Sequence, residues 1–358
     1  MYLQKVFSFL DDFKSCRHIL TFAAMAKETV LSGIRPTGFL HLGNYFGAMR
    51  NYVRMQDDYN CYFFVANWHA LTTHPDTSEL KQSVYRVIAE NIACGIDPDK
   101  ATFYVQSDVP EIAELYLYLN TLAYKGELEK TTTFKEKVRT QPDNVNAGLL
   151  TYPVLQAADI LIHRATKVPV GKDQEQHLEM ARNFAQRFNN RYENVFPEPH
   201  AFNYGEQLIK ILSLDGNGKM SKSENQLNTI YLADEDDLIR KKVMKIKTDG
   251  GPAEPNSIKP DYIQNLFTLM KEMSSADVYA KFEADYNNSS TCNCIIRYGD
   301  MKKQLAEDMV KFIQPIREKA VALQADKDLL EKIIKKGAEK ARFSAAETLR
   351  LVRKAVLH

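Results

Sequence analysis

Three stretches of this chain hold residue types suited to phosphate and amino-acid chemistry. Gly218-Lys219-Met220-Ser221-Lys222-Ser223 sets two lysines and two serines around one methionine, beside a glycine. Such lysines are solvated on an ordinary exposed loop; on a loop that closes, the same ammonium and hydroxyl groups suit a polyphosphate. Ser32 to Asn44, SGIRPTGFLHLGN, offers glycines for close backbone approach and then His41-Leu42-Gly43-Asn44. It is neither a GxxxxGK(S/T) phosphate loop nor a GxGxxG dinucleotide turn. His41 has the nitrogens to bond phosphate oxygens, and Gly43 leaves room for an adenine or ribose against its backbone; a histidine after a glycine-rich loop can equally be structural. Asp159 stands in a mostly apolar run, Val154 to Ile162, where a charge is costly without a partner. Taken alone, it reads as a carboxylate capping a neighbouring element or pairing with an arginine.

These residues need a scaffold, and the apolar pattern predicts one. Thr29–Ser32, Cys61–Val65, Thr102–Val105 and Val168–Gly171 are short β-rich runs. The second is continuously apolar, as in a strand covered on both faces. Between them, helical spacing predicts helices over 44–56, from a capping box at Asp76-x-x-Glu79 to about Cys94, near 110–122, 149–163 and 174–188. Strand and helix alternating with crossovers of this length imply an α/β fold, a doubly wound, Rossmann-like parallel sheet. In such sheets ligands sit at the carboxyl ends of strands against helix N-termini, which is where Ser32–Asn44 falls. Residues 216–228 read as a loop, and beyond it the pattern is helical: 234–244, 261–273, 275–285, 299–319, 326–340 and 343–356. An α-helical domain is therefore expected after the α/β domain.

The 358 residues suffice for two domains, and 44% hydrophobic with 26% charged residues is a soluble composition. A net charge of +1 marks no global nucleic-acid binder. From Met301 onward, however, 14 Lys+Arg stand against 8 Asp+Glu, either a solvated helical face or a footprint for RNA phosphates. No apolar run reaches the ~20 residues of a membrane span. Cys16, Cys61, Cys94, Cys292 and Cys294 are too scattered for a disulfide framework, and Cys61 and Cys94 read as buried small hydrophobes. Residues 1–24 lack a signal-peptide layout and read as a dispensable extension upstream of a natural start at Met25, with the first domain beginning at residue 27.

An HxGN after the first strand paired with a KMSKS loop after the last makes a two-part signal. It resembles the class I aminoacyl-tRNA synthetases. Further stretches are similar to the tryptophanyl branch of that family: Ser32-Gly33-x-Arg35-Pro36-Thr37-Gly38, Ala66-Asn67-Trp68-His69-Ala70, Gln106-Ser107-Asp108-Val109-Pro110, Phe134-Lys135-Glu136-Lys137, Ala147 to Leu161, and Val168 to Gln174. The likeness covers roughly residues 28–358 and is densest from 30 to 225.

The resemblance implies a ligase that activates L-tryptophan with ATP and Mg²⁺ and transfers it to tRNA(Trp). It implies a Rossmann-like catalytic domain over 27–214, the KMSKS loop over 215–228, and a helical tRNA (anticodon)-binding domain over 229–358. It implies phosphate contacts from His41, Asn44, Lys137, Lys219 and Lys222. Arg35, Pro36, Thr37, Gly43, Gly171, Lys172, Asp173, Ile211, Met220, Ser221 and Ser223 complete the ATP set. Asp159, Tyr152, Gln174, His69 and Gln156 form the tryptophan set, with Asp159 accepting the indole N–H and Tyr152 and Gln174 holding the ammonium end. For His69, a structural histidine remains an even alternative. A cytosolic homodimer is implied, with no membrane partner and no metal held by the protein itself. Some relatives carry a four-cysteine iron–sulfur site; Cys292 and Cys294 alone predict none. Arg35, Lys172 and Gln156 depart from commoner residues, so the partner of Arg35 stays open and Lys172 is expected to contact ATP mainly by backbone. The alternatives are a tyrosyl-tRNA synthetase, a non-catalytic tryptophan- or tRNA-binding paralogue, and a general nucleotidylyltransferase. The last leaves the helical region unexplained.

Overall fold

The computed structural model describes residues 27–72, 76–171, 174–204, 209–221, 226–288 and 296–357. Five parallel strands form one sheet: β1 (Thr29–Ile34), β2 (Asn60–Val65), β3 (Thr102–Val105), β4 (Lys167–Val168) and β5 (His200–Ala201). Their order is β3-β2-β1-β4-β5, so the chain reverses its direction of travel between β1 and β4. That switch opens a crevice beyond the carboxyl ends of these two strands. β5, two exposed residues, was not legible as a strand, because pairing with β4 alone defines it.

Alternate residues of the strands point to opposite faces. Val30, Phe63, Val65 and Phe103 enter one core cluster, and Leu31, Tyr62, Phe64 and Tyr104 the other. The first face is covered by a helical run over 42–55 (α1) and by α2 (Leu80–Ala93). Within α1, Tyr45–Met49 is wound as a π-helix between two α-helical pieces. The second face is covered by α3 (Glu111–Asn120), α5 (Tyr152–Ile162) and α6 (Glu175–Arg191). A further helix, α4 (Thr132–Thr140), lies between α3 and α5 in sequence.

The expected helical region is present as α7 (Asp236–Met244), α8 (Asp261–Met273), α9 (Ala276–Asn287), α10 (Tyr298–Ala325) and α11 (Lys327–Leu357). The two helices expected over 326–340 and 343–356 are one. Leu330, Ala338, Ala341, Ala345, Leu349 and Val352 are all buried at helical spacing, and no proline or phase break divides them. This region also shares its core with the sheet: Met301 and Leu305 of α10 join the first cluster, and Ala341 to Val352 of α11 join the second. Gly337 brings α11 so near β3 that a Cβ there would run into the Phe103 carbonyl oxygen.

Part of the basic excess after Met301 serves this packing. Arg317 pairs with Asp236, Lys336 with Asp99, Arg342 with Glu111 and Arg353 with Glu114. Cys61 and Cys94 are buried as expected, and burial pushes both thiols up to about 12. The extension 1–26 and the Cys292/Cys294 pair lie outside the described residues. Among the described residues, no helix is long and apolar enough to cross a membrane.

Candidate active site

The two motifs meet. His41 N-caps α1: its Nδ1 accepts from the Asn44 backbone N–H at 3.3 Å, while Asn44 Oδ1 accepts from the His41 backbone N–H at 3.2 Å. This reciprocal pair is a capping box made with a histidine. Gly43 faces the loop that follows Leu214. A Cβ on Gly43 would lie 3.0 Å from His41 Nδ1 and 3.2 Å from Met220 Cβ, so any side chain here would press on both the cap and the loop. Met220 is buried, and its backbone N–H donates to the Ile211 carbonyl at 2.9 Å. Met220 and Ile211 therefore anchor the loop from beneath, while Lys219 and Ser221 stay exposed.

The segment after the loop completes the clamp. The Leu42 N–H donates to the Ile230 carbonyl at 3.0 Å and the Leu232 N–H to the Leu40 carbonyl at 2.8 Å. Lys242, buried on α7, donates to Asp234 at 2.6 Å and to the Thr229 carbonyl at 2.8 Å, fixing that segment. No local pattern announces this pair, because it depends on where α7 packs. Upstream, the buried Glu90 accepts from the Leu40 N–H at 3.0 Å and steadies the approach to His41. Lys222 and Ser223 lie outside the described residues, as do Lys172 and Asp173.

A cavity of about 400 Å³ opens at the β1–β4 crevice. Leu31, Phe64, Ile160, Val168 and Val170 give it apolar walls. Tyr152, Gln156 and Asp159 all line it, spaced i, i+4 and i+7 along one face of α5. Gln174 enters from the start of α6, Arg35 from the loop after β1, and His69 from the short helix Asn67–Leu71 after β2. With Gly171, seven of the expected residues thus share one cavity. Arg35 donates to the Tyr152 hydroxyl at 2.9 Å, a protein partner within the expected amino-acid set.

Asp159 is wholly buried and held by donors. His69 Nε2 donates to its Oδ2 at 2.7 Å, and Gln106 Nε2 bonds both carboxylate oxygens, at 2.8 and 3.0 Å. Burial raises its pKa, and these two partners oppose the rise. The capping role that the sequence left open for Asp159 is absent from its bonds, and the arginine partner is replaced by a histidine and an amide. The other ring nitrogen, His69 Nδ1, is buried with no partner among the described residues. Gln156 Oε1 is in the same state.

Two smaller cavities adjoin. One of about 260 Å³ shares Tyr52, Gly171 and Gln174 with the first and reaches Gly47, Asn51 and Lys219. The other, of about 100 Å³, shares Arg35, His69 and Tyr152 and is bordered by Thr37 and Lys137. Pro36, between Arg35 and Thr37, is buried. Tyr52, whose hydroxyl bonds Ser32 Oγ at 2.6 Å, lines both of the two larger cavities. Sequence reasoning did not place Tyr52 or Gln106 in the site; Gln106 lay inside a recognised motif, but Tyr52 looked like one more apolar position of a helix.

The family model "tRNA synthetases class I (W and Y)" matches residues 25–314. Over 327 residues the chain is 61% identical to the tryptophan–tRNA ligase of Porphyromonas gingivalis, covering 91% of this chain and 98% of that protein. It is 42% identical to that of Rickettsia felis, again over 91% and 98%. The structure of tryptophanyl-tRNA synthetase from Campylobacter jejuni, complexed with ADP and tryptophan, superposes with a TM-score of 0.80 at 35% identity, covering 91% of this chain and 98% of that one. Tyrosyl-tRNA synthetase from Aeropyrum pernix matches at 19% identity and a TM-score of 0.63, a likeness of fold alone. The chain therefore belongs to the class I tRNA synthetases for tryptophan and tyrosine.

Proposed function

We propose that this chain is a tryptophan–tRNA ligase. The tryptophan carboxylate attacks the α-phosphorus of ATP, the α–β bridging bond breaks, and pyrophosphate leaves with its electron pair. The terminal ribose hydroxyl of tRNA(Trp) then attacks the resulting mixed anhydride and releases AMP. No enzyme nucleophile is needed; the protein positions groups and stabilises phosphate charge. The observation that carries this reading is the contact of Gly43 with Met220, beside the paired cavities. That contact brings the two motifs together, and Lys219 of the loop lines the cavity that adjoins the one holding Asp159, which supports the reading.

In this reading the 400 Å³ cavity takes tryptophan, with Tyr152 and Gln174 at the ammonium and Asp159, His69 and Gln156 around the indole. The adjoining 260 Å³ cavity takes the adenosine side of ATP, against Gly171 and the start of α1. Lys219, Lys222 and Lys137 meet the phosphates, with Ser221 and Ser223 as hydroxyl donors. Mg²⁺ arrives with the phosphates as Mg·ATP, its ligands largely phosphate oxygens and water. Loop closure and reopening accompany pyrophosphate formation and release.

Cations of the helical region not engaged with protein carboxylates are proposed to meet tRNA phosphates, in the cytoplasm. A homodimer is proposed from a groove of about 310 Å³ lined by Trp68, Leu71, Tyr116 and Leu155. The test of the function is ATP–pyrophosphate exchange with each of the twenty amino acids. Exchange with tryptophan alone is expected. Exchange with tyrosine would mean the pocket around Asp159 is misread, and none at all would favour the non-catalytic paralogue.

A further inference from the structure

An aromatic and cationic run stands outside the cavities of the candidate site. Phe39, two residues before His41, is 42% exposed. Its ring is nevertheless held from two directions. The Arg86 guanidinium of α2 lies over it, 4.4 Å from the ring centroid, and the Tyr231 ring meets it edge-on at 6.4 Å. Tyr231 in turn meets the His41 ring edge-on at 6.3 Å and forms an antiparallel bridge with the His41 backbone. The run Arg86, Phe39, Tyr231, His41 thus leads from the surface to the first phosphate motif. Arg86 pairs with no carboxylate among the described residues. It bonds Ser83 Oγ at 3.1 Å, and its Nε is buried without a partner. A guanidinium carries five N–H donors, so most of its bonding capacity is open.

Resting on the tryptophan-ligase reading, we infer that Phe39 and Arg86 form a stacking platform for a base of the single-stranded 3′ end of tRNA(Trp). The second step of that reading brings the terminal ribose to the anhydride beside His41, so the unpaired nucleotides before it cross nearby protein surface. Such nucleotides present flat base faces with a phosphate between each pair. An exposed aromatic ring and an adjacent uncommitted cation match both features. Phe39 and Arg86 line none of the three cavities at the candidate site, so the platform lies clear of both small substrates. A single exposed phenylalanine is ordinary on a protein surface. This one is clamped by an arginine beside a phosphate motif, so much of the side-chain freedom that stacking would cost is already lost.

The experiment runs two assays on the wild type, Phe39→Ala, Phe39→Leu, Phe39→Trp and Arg86→Gln, each checked for folding by thermal denaturation. ATP–pyrophosphate exchange reads tryptophan and ATP alone; aminoacylation reads the tRNA as well. Phe39→Ala and Phe39→Leu should keep both KM values in exchange and lose about tenfold in kcat/KM for tRNA(Trp). Leucine keeps apolar bulk without a ring, so its loss separates stacking from packing, and Phe39→Trp should charge tRNA at least as well as the wild type. Arg86→Gln should also charge poorly with exchange intact, and its charging should depend less steeply on salt. Should the alanine and leucine variants fold and charge tRNA like the wild type, or should exchange fall as far as charging, the platform does not serve tRNA and the inference falls. A wild type that performs no exchange with tryptophan would instead remove the underlying function.

Discussion

Burial holds the His163 imidazole neutral, its pKa lowered to about 3 from the ordinary 6.5. The ring lies stacked on Tyr62, with Nε2 at 2.9 Å from the Tyr104 hydroxyl and Nδ1 at 3.2 Å from Ser344 Oγ. An unfolded histidine binds a proton below 6.5, and this folded one does not until about 3. The unfolded state thus holds more protons in that window, and stability falls as pH falls through it. Between pH 7 and 5 this residue alone should cost about 2 kcal/mol. Denaturant midpoints at the two pH values should show that loss in the wild type and not in His163→Gln; equal pH dependence of both would refute it. Legibility at this scale followed locality. Asp159 stood out because a carboxylate in an apolar helix is chemically conspicuous. Gln106, 53 residues from its partner Asp159, and Tyr52, 20 from Ser32, are ordinary in their own segments. Their roles exist only once the sheet brings them together.

At the scale of elements, the strands and most helices could be read from periodicity, and the errors lay where tertiary contact overrides local pattern. Gly337 is the clearest instance. Inside a helix, glycine is worse than alanine by about 1 kcal/mol, so propensity alone favours Gly337→Ala. The fold reverses that sign, because the added methyl would meet the Phe103 backbone, which cannot swing aside like a side chain. Overpacking of this kind costs about 1–3 kcal/mol. The displaced strand leads directly into Gln106, a donor to Asp159. Gly337→Ala should therefore lower the melting temperature and also raise KM for tryptophan, with KM for ATP less affected. A variant at least as stable as the wild type would show that α11 slides freely over β3. The sequence read α11 as helical but split it at 340–343; its amphipathic stripe is continuous, and what it packs on is some 230 residues away, with Lys336 paired to Asp99 across that distance.

For the whole molecule, composition set useful limits and little more. A net charge of +1 excluded a global field but hid an uneven distribution. Much of that unevenness is internal pairing between α11 and the α/β part, which no count of charges could separate from a nucleic-acid surface. Apolar side chains left in solvent are informative in the opposite way. Leu117 is 66% exposed, Val145 44% and Leu71 42%, close in sequence to Tyr116, Asn146 and Thr72 of the 310 Å³ groove. Exposed apolar side chains beside such a groove fit the proposed homodimer contact. Two-fold pairing would cover the same groove on both copies, since a symmetric dimer uses one patch twice. Leu117→Glu places a charge on that patch without touching the cavity residues. Sedimentation should then shift from dimer toward monomer, with circular dichroism unchanged. The groove shares Thr72 with the 100 Å³ cavity and includes Trp68, next to His69. Loss of pairing should therefore weaken tryptophan binding several-fold even with every cavity residue intact. A Leu117→Glu protein that remains dimeric would place the contact between copies on another face.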